Sequence, residues 1–164
     1  MNKKRRIMST NYYLKRIPTK VEIAECHRLL DERKIDTDDL YGEKYDSPCL
    51  ESVFAKITEK VHLGKYSDGW RFLFRTNSKL YGKNIRACLD YITQSQESGL
   101  WRLMDEYGRT VSIDDFEKWI RKSMDGITIS DYYREHPEVR RWGMSCPQEE
   151  VVEDGSRWLD DDFF

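Results

Sequence analysis

Cysteine is sparse and scattered. Cys26, Cys49, Cys88 and Cys146 include no C-x-x-C pair, so spacing offers neither a zinc ribbon nor a disulfide frame and favours reduced thiols in a cytosolic protein, Cys26 and Cys88 on apolar helical faces. His27 adjoins Cys26, but neighbours at i, i+1 point apart on a helix and share no metal. No apolar run approaches the roughly twenty residues that span a bilayer. The basic start Met1-Asn2-Lys3-Lys4-Arg5-Arg6 lacks the apolar stretch of an export signal. Net charge is −2, so overall charge does not announce a nucleic-acid partner. No internal repeat is present, and no cofactor is implied.

What is present suits one folded unit. The chain has 164 residues, enough for one domain with a proper core. An aromatic content of 13% argues against disorder. Residues 1–20 hold seven Lys or Arg and no acid, whereas residues 149–162 hold seven acids against Arg157 alone. Residues 1–8 read as a basic disordered lead, with Met8 a second candidate start, and residues 9–164 as a single domain.

The chain is organised around residues 61–75. Asp68-Gly69 tolerates positive φ, and the flanking runs are apolar and aromatic, which predicts a hairpin. On a regular strand Trp70, Phe72 and Phe74 share one face, the expected core, and Arg71, Leu73 and Arg75 the other. On the preceding strand His62 and Gly64 oppose Val61, Leu63 and Lys65. His62, Lys65 and Ser67 therefore converge only if the chain twists or bulges at Gly64.

Along the rest of the chain, residues 10–17 read as a strand stopped by Pro18. Thr19 and Glu22 form a capping box that starts a helix at Lys20, with Ile23, Cys26 and Leu30 at helical spacing, fading near Lys34. Residues 35–49 are loop by composition, and residues 50–60 lean towards helix. Ile85, Cys88, Leu89 and Ile92 mark an amphipathic helix ending before Gly99. A second hairpin follows over residues 100–111, then a helix capped by Ser112 with Ile113, Phe116, Trp119 and Ile120 inward. Residues 127–129 suggest a strand, residues 131–134 one helical turn and residues 135–148 a loop. A last strand pair turns at Asp154-Gly155.

Three constellations carry candidate chemistry. His62, Lys65 and Ser67, beside Asp68, supply a base, a cation and a hydroxyl, the parts of an anion or phosphate site. The spacing H-x-x-K-x-x-D matches neither a P-loop nor the H-x-K-x-x-x-x-D of phospholipase-D-type phosphodiesterases. Tyr12, Tyr13, Arg71, Arg75 and Lys79 are candidates for stacking on single-stranded nucleic acid, a reading not favoured over strand-spaced core aromatics. The terminal Asp160-Asp161-Asp162-Phe163-Phe164 has the form of an acidic docking tail, or of an edge strand with Trp158.

The stretches Met8-Ser9-Thr10-Asn11-Tyr12-Tyr13, His62-Leu63-Gly64-Lys65 leading to Gly69-Trp70-Arg71-Phe72, and Asp105-Glu106-Tyr107-Gly108-Arg109 resemble a group of small bacteriophage proteins. Those share a T-N-Y-Y start, an H-[IL]-G-K-x-S-x-G-W motif and a D-x-x-G-R turn before a helix. Many of them carry a C-x-x-C pair between the first two motifs. Here a capped helix and an acidic loop fill that interval, so no metal is carried over. The resemblance implies a phage genome and expression in a host bacterial cytoplasm, and it supplies no chemistry.

Together these readings predict an α+β fold, a mixed or antiparallel sheet of four to six strands with three or four helices packed on it. The leading functional expectation is a non-enzymatic phage accessory protein acting in host takeover or anti-defence. It would bind a host protein or other macromolecule, or a nucleotide-like anionic ligand, through Tyr12, His62, Lys65, Ser67 and Trp70. The alternative is a phosphoester-acting enzyme, a nuclease or cyclic-nucleotide hydrolase, using His62 and Lys65. A third expectation is recruitment through the acidic C-terminus.

Overall fold

Alternation along the first strand decides where the interior lies: Tyr12 and Leu14 are buried, while Asn11, Tyr13 and Lys15 turn to the other face. The computed structural model describes residues 9–32, 59–138 and 149–160. Within them the strands are β1 (Thr10–Arg16), β2 (Lys60–Tyr66), β3 (Leu73–Arg75), β4 (Trp101–Asp105), β5 (Glu150–Val151) and β6 (Arg157–Leu159). The helices are α1 (Lys20–Asp31), α2 (Ile85–Glu97), α3 (Ile113–Ser123) and α4 (Ile129–Glu135).

One six-stranded sheet runs β4-β1-β2-β3-β6-β5. Its neighbours pair antiparallel except β3 and β6, which run parallel. The fold is thus α+β on a mixed sheet. Tyr12, Leu14, Leu63, Phe72, Phe74, Leu103 and Trp158 pack with Cys88 and Ile92 of α2 and Phe116 and Ile120 of α3 in one core. Among the described residues no helix is long and apolar enough to cross a membrane.

Local chemistry explains most element boundaries. The Thr19 hydroxyl accepts from the Glu22 amide at 3.2 Å, and the Glu22 carboxylate accepts from the Thr19 amide at 2.8 Å, completing the capping box. The Arg16 guanidinium grips the same carboxylate with two bonds of 2.8 and 2.9 Å, tying β1 to α1 and, with the Thr19 amide, holding the Glu22 carboxyl down at about 2. Asn84 and Ser112 cap α2 and α3.

Several expectations are revised. α1 ends at Asp31 with Glu32 as its C-cap. Residues 127–129 are not a strand: Ile127 makes one parallel bridge to Trp70, and Thr128 then caps α4 by a capping box with Asp131. Glu59 is not helical and Lys60 opens β2, while residues 50–58 of the expected helix lie outside the described residues, as do residues 1–8, the loop at 35–49 and residues 161–164.

The hairpin at residues 61–75 forms, but its second strand starts late. The Trp70 amide donates to the Ser67 carbonyl at 3.0 Å, closing the turn around Asp68-Gly69. The chain then leaves the sheet: Ile127 donates to the Gly69 carbonyl, Arg71 donates to the Ile127 carbonyl, both at 3.1 Å, and the Phe72 amide donates to Ser123 Oγ at 2.9 Å. Phe72 and Phe74 are core, whereas Trp70 is half-buried outside it, against Tyr132. Strand alternation fails at Trp70 because Trp70 to Phe72 do not pair with β2.

The decisive irregularity is in β2. Tyr12 faces Gly64 and Tyr13 faces His62, which leaves Leu63 as an extra residue in a β-bulge. Gly64 has φ +153°, and a Cβ there would lie 2.4 Å from both the Leu73 carbonyl oxygen and the Phe72 ring. Gly64→Ala should therefore destabilise the fold by about 2–5 kcal/mol through strain and overpacking. Gly69→Ala, at φ +82° with open space around it, should cost only about 1–2 kcal/mol. Urea unfolding of both variants checks this, and equal losses would refute the close-packed bulge.

Candidate functional site

The bulge changes which side chains share a face. Past Leu63 the alternation is reset, so His62 opposite Tyr13 and Lys65 opposite Asn11 both lie on the face away from the core. The regular-strand expectation that His62 pairs with Gly64 against Lys65 is thus overturned. The bulge on which convergence depended is present, and it brings His62 and Lys65 to one face without bringing His62 to Lys65 and Ser67.

Lys65, Ser67 and Trp70 then line one small recess with Arg71, Leu73 and Arg157, about 80 Å³ in volume. Each cation is positioned differently. Arg71 is fixed by donating from Nε to the Gly126 carbonyl at 3.0 Å and from Nη1 to the Gly155 carbonyl at 2.9 Å. Arg157 is only 3% exposed. It donates from Nη1 to the Arg71 carbonyl at 2.8 Å, pairs through Nε with the equally buried Glu149, and sits 5.2 Å from the centre of the Trp70 ring. Burial pulls the Arg157 guanidinium below its ordinary pKa; Glu149 opposes that shift and Arg71 adds to it. Lys65 has no ion-pair partner among the described residues.

Three cations thus face one recess against two carboxylates near Arg157, Asp131 and Glu149, the latter already bonded to Arg157 and to the Ile129 amide at 2.6 Å. Each guanidinium carries five N–H donors and uses two in these contacts, and the Ser67 hydroxyl adds a neutral donor. The volume equals about two to three waters, at roughly 30 Å³ each. A phosphate, sulfate or carboxylate group fits; a whole nucleotide does not.

The other expected site residues lie elsewhere. His62 shares the face of Lys65 but stacks on Tyr13, ring centres 4.7 Å apart, outside the recess. Lys15 and Lys60 stand 5.4 and 5.2 Å from the centre of that same Tyr13 ring. Tyr12 is on the opposite face, packed on Phe72, Phe116 and Trp119. Sequence reasoning weighed Arg71 only for nucleic acid and did not single out Arg157. The available signal was Arg157 as the one basic residue within an acidic segment.

The motif Asp105-Glu106-Tyr107-Gly108-Arg109 proves architectural. Buried Asp105 accepts from the Tyr107 and Arg109 amides at 2.9 Å each and from Arg109 Nε at 2.6 Å. Burial alone would raise its carboxyl, but the Arg109 and Tyr107 donors outweigh it and hold the group below the usual aspartate range. Among the described residues no group of three or more His, Cys, Asp or Glu side chains is placed to hold a metal. Compared with protein-family models, with curated proteins and with solved structures, the chain finds no match in any of the three.

Two outcomes are expected. Glu149→Gln leaves the buried Arg157 charge uncompensated and should cost about 3–5 kcal/mol in urea unfolding, whereas Lys65→Ala should stay within about 0.5 kcal/mol. Asp105 has a depressed folded pKa, so it adds stability above the unfolded value of about 3.9 and loses it as pH falls through the folded value. The stability gap between the parent and Asp105→Asn should be widest near neutral pH and narrow below about pH 4; a gap independent of pH would refute an ionised Asp105.

Proposed function

We propose that this chain is a non-enzymatic binding protein, a bacteriophage accessory factor in the host bacterial cytoplasm, that captures an anionic group of its ligand or partner in the recess of Lys65, Ser67, Trp70, Arg71 and Arg157. The observation that carries this reading is the excess of positive charge around a recess with room for one small anion. Two guanidinium groups are held by backbone carbonyls, so their remaining donors are ordered before a ligand arrives, which lowers the cost of binding. Lys65 is the adjustable cation. It lies on β2, so the sheet fixes its backbone while its ammonium can follow the anion.

The phosphoester-acting enzyme reading needs His62 and Lys65 to face one reacting atom. Stacking of His62 on Tyr13, away from the recess, favours capture over turnover.

Titration of the full chain with inorganic phosphate and with a phosphoserine peptide, followed by calorimetry, tests the proposal. Loss of one charge-assisted bond is worth about 1.5–3 kcal/mol, so Lys65→Ala should weaken binding about 10- to 150-fold with an unchanged melting temperature. Equal binding by the parent and Lys65→Ala, or no binding by the parent, would overturn the site. Nucleotide turnover lost in His62→Ala would replace capture with catalysis.

A further inference from the structure

On the helix-bearing face a second and larger recess opens, about 510 Å³ in volume, bounded by Tyr12, Tyr66, Asp105, Arg109, Trp119 and Lys122. Its size falls within the roughly 300–1,000 Å³ typical of small-molecule sites. It is independent of the anion recess, since Tyr12 and Lys65 lie on opposite faces of the sheet.

The walls are aromatic. Tyr12 is held by Phe116 and Trp119, ring centres 5.3 and 5.8 Å away. Trp119 is nevertheless 38% exposed, a large indole left uncovered beside the opening. Trp119 and Lys122 are three residues apart on α3 and so share a face.

The polar groups divide into those already used and those left over. Asp105 is fully engaged by the Tyr107 and Arg109 donors and repels no anion beyond what Arg109 neutralises. Arg109 spends Nε on that carboxylate, and its side chain is otherwise exposed, with its terminal N–H groups outside that bond. Lys122 has no ion-pair partner among the described residues. Tyr12 is only 5% exposed, lines the recess, and its hydroxyl has no hydrogen bond among the described residues. The hydroxyl oxygen itself is not enclosed, so it opens into the recess. Burial, with the Asp105 charge adding to it, pushes the Tyr12 phenol up to about 12, so it meets any ligand as a neutral donor and acceptor.

Aromatic walls, a hydroxyl at the base and two cations on the rim, Arg109 and Lys122, match a flat ring that carries an anion. We infer that this recess binds a free nucleoside monophosphate. The ring lies against Trp119 and Tyr66, the Tyr12 hydroxyl bonds a polar edge of the ring or sugar, and the phosphate meets Lys122 and Arg109. Stacking holds the ring without reading its sequence identity, so discrimination between bases rests on Tyr12.

Calorimetric titration of the full chain with adenosine, guanosine, cytidine and uridine monophosphates, with adenosine and with inorganic phosphate tests this. At least one monophosphate should bind, about tenfold or more tighter than its nucleoside or phosphate alone, since ring and anion each contribute. Trp119→Ala and Lys122→Ala should each weaken it about tenfold or more. Tyr12→Phe, which keeps the ring in the core, should weaken it severalfold, and in Lys65→Ala, which disables the anion recess, the monophosphate should still bind about tenfold or more tighter than phosphate. If no monophosphate binds below about 10 mM, or if binding survives Trp119→Ala and Lys122→Ala but is lost in Lys65→Ala, the inference is overturned. Binding of a single-stranded oligonucleotide without any mononucleotide binding would also overturn it.

Discussion

The extra residue in β2 is the constraint on which both recesses depend. With Leu63 unpaired, Leu63 and Gly64 both serve the core side, and Lys65 is delivered to the face of His62 and Tyr13. Without it, Lys65 would point into the core beside Leu63, a cation in an apolar cluster. The bulge is fixed by what surrounds it: the Phe72 ring and Leu73 carbonyl occupy the space that any side chain at residue 64 would need. Core packing on one face and charge placement on the other are thus two results of one backbone irregularity.

Much of the fold could be read from local signals, for identifiable reasons. The capping boxes and polar caps are short-range hydrogen-bond patterns, so Thr19, Asn84 and Ser112 sit where three or four residues of sequence suffice to place them. Asp68-Gly69 similarly announces its own turn. What could not be read is set by distant partners. Trp70 leaves the sheet because Ile127 pairs with it, 57 positions on. Arg157 is buried because Glu149, Trp70 and the Arg71 carbonyl receive it. Neither fact has a local signature.

The same distinction governs the candidate residues. Lys65, Ser67 and Trp70 line one recess because they are close in sequence and stay close in space. Tyr12 and His62 joined them by chemistry alone, and the sheet separates them. The three motif stretches nevertheless meet: Tyr12 faces Gly64 on one side and Asp105 on the other, so segments 52 and 93 positions apart form adjacent strands. Their glycines, the Asp105 turn and the buried Tyr12 are mainly requirements of that meeting point.

The parallel pairing of β3 with β6 decides which part of the molecule a ligand would steady. It joins Leu73 to Arg157, and Phe74 stacks on Trp158 at 4.6 Å across it. The β1–β2–β4 segment, with α2 and α3 against it, contains the larger recess. The small cationic recess comes into being only when β6 docks and brings Arg157 to Trp70. Ligand capture there would act as a clamp on that docking, stabilising the C-terminal strand pair against local opening more than it stabilises the rest of the molecule.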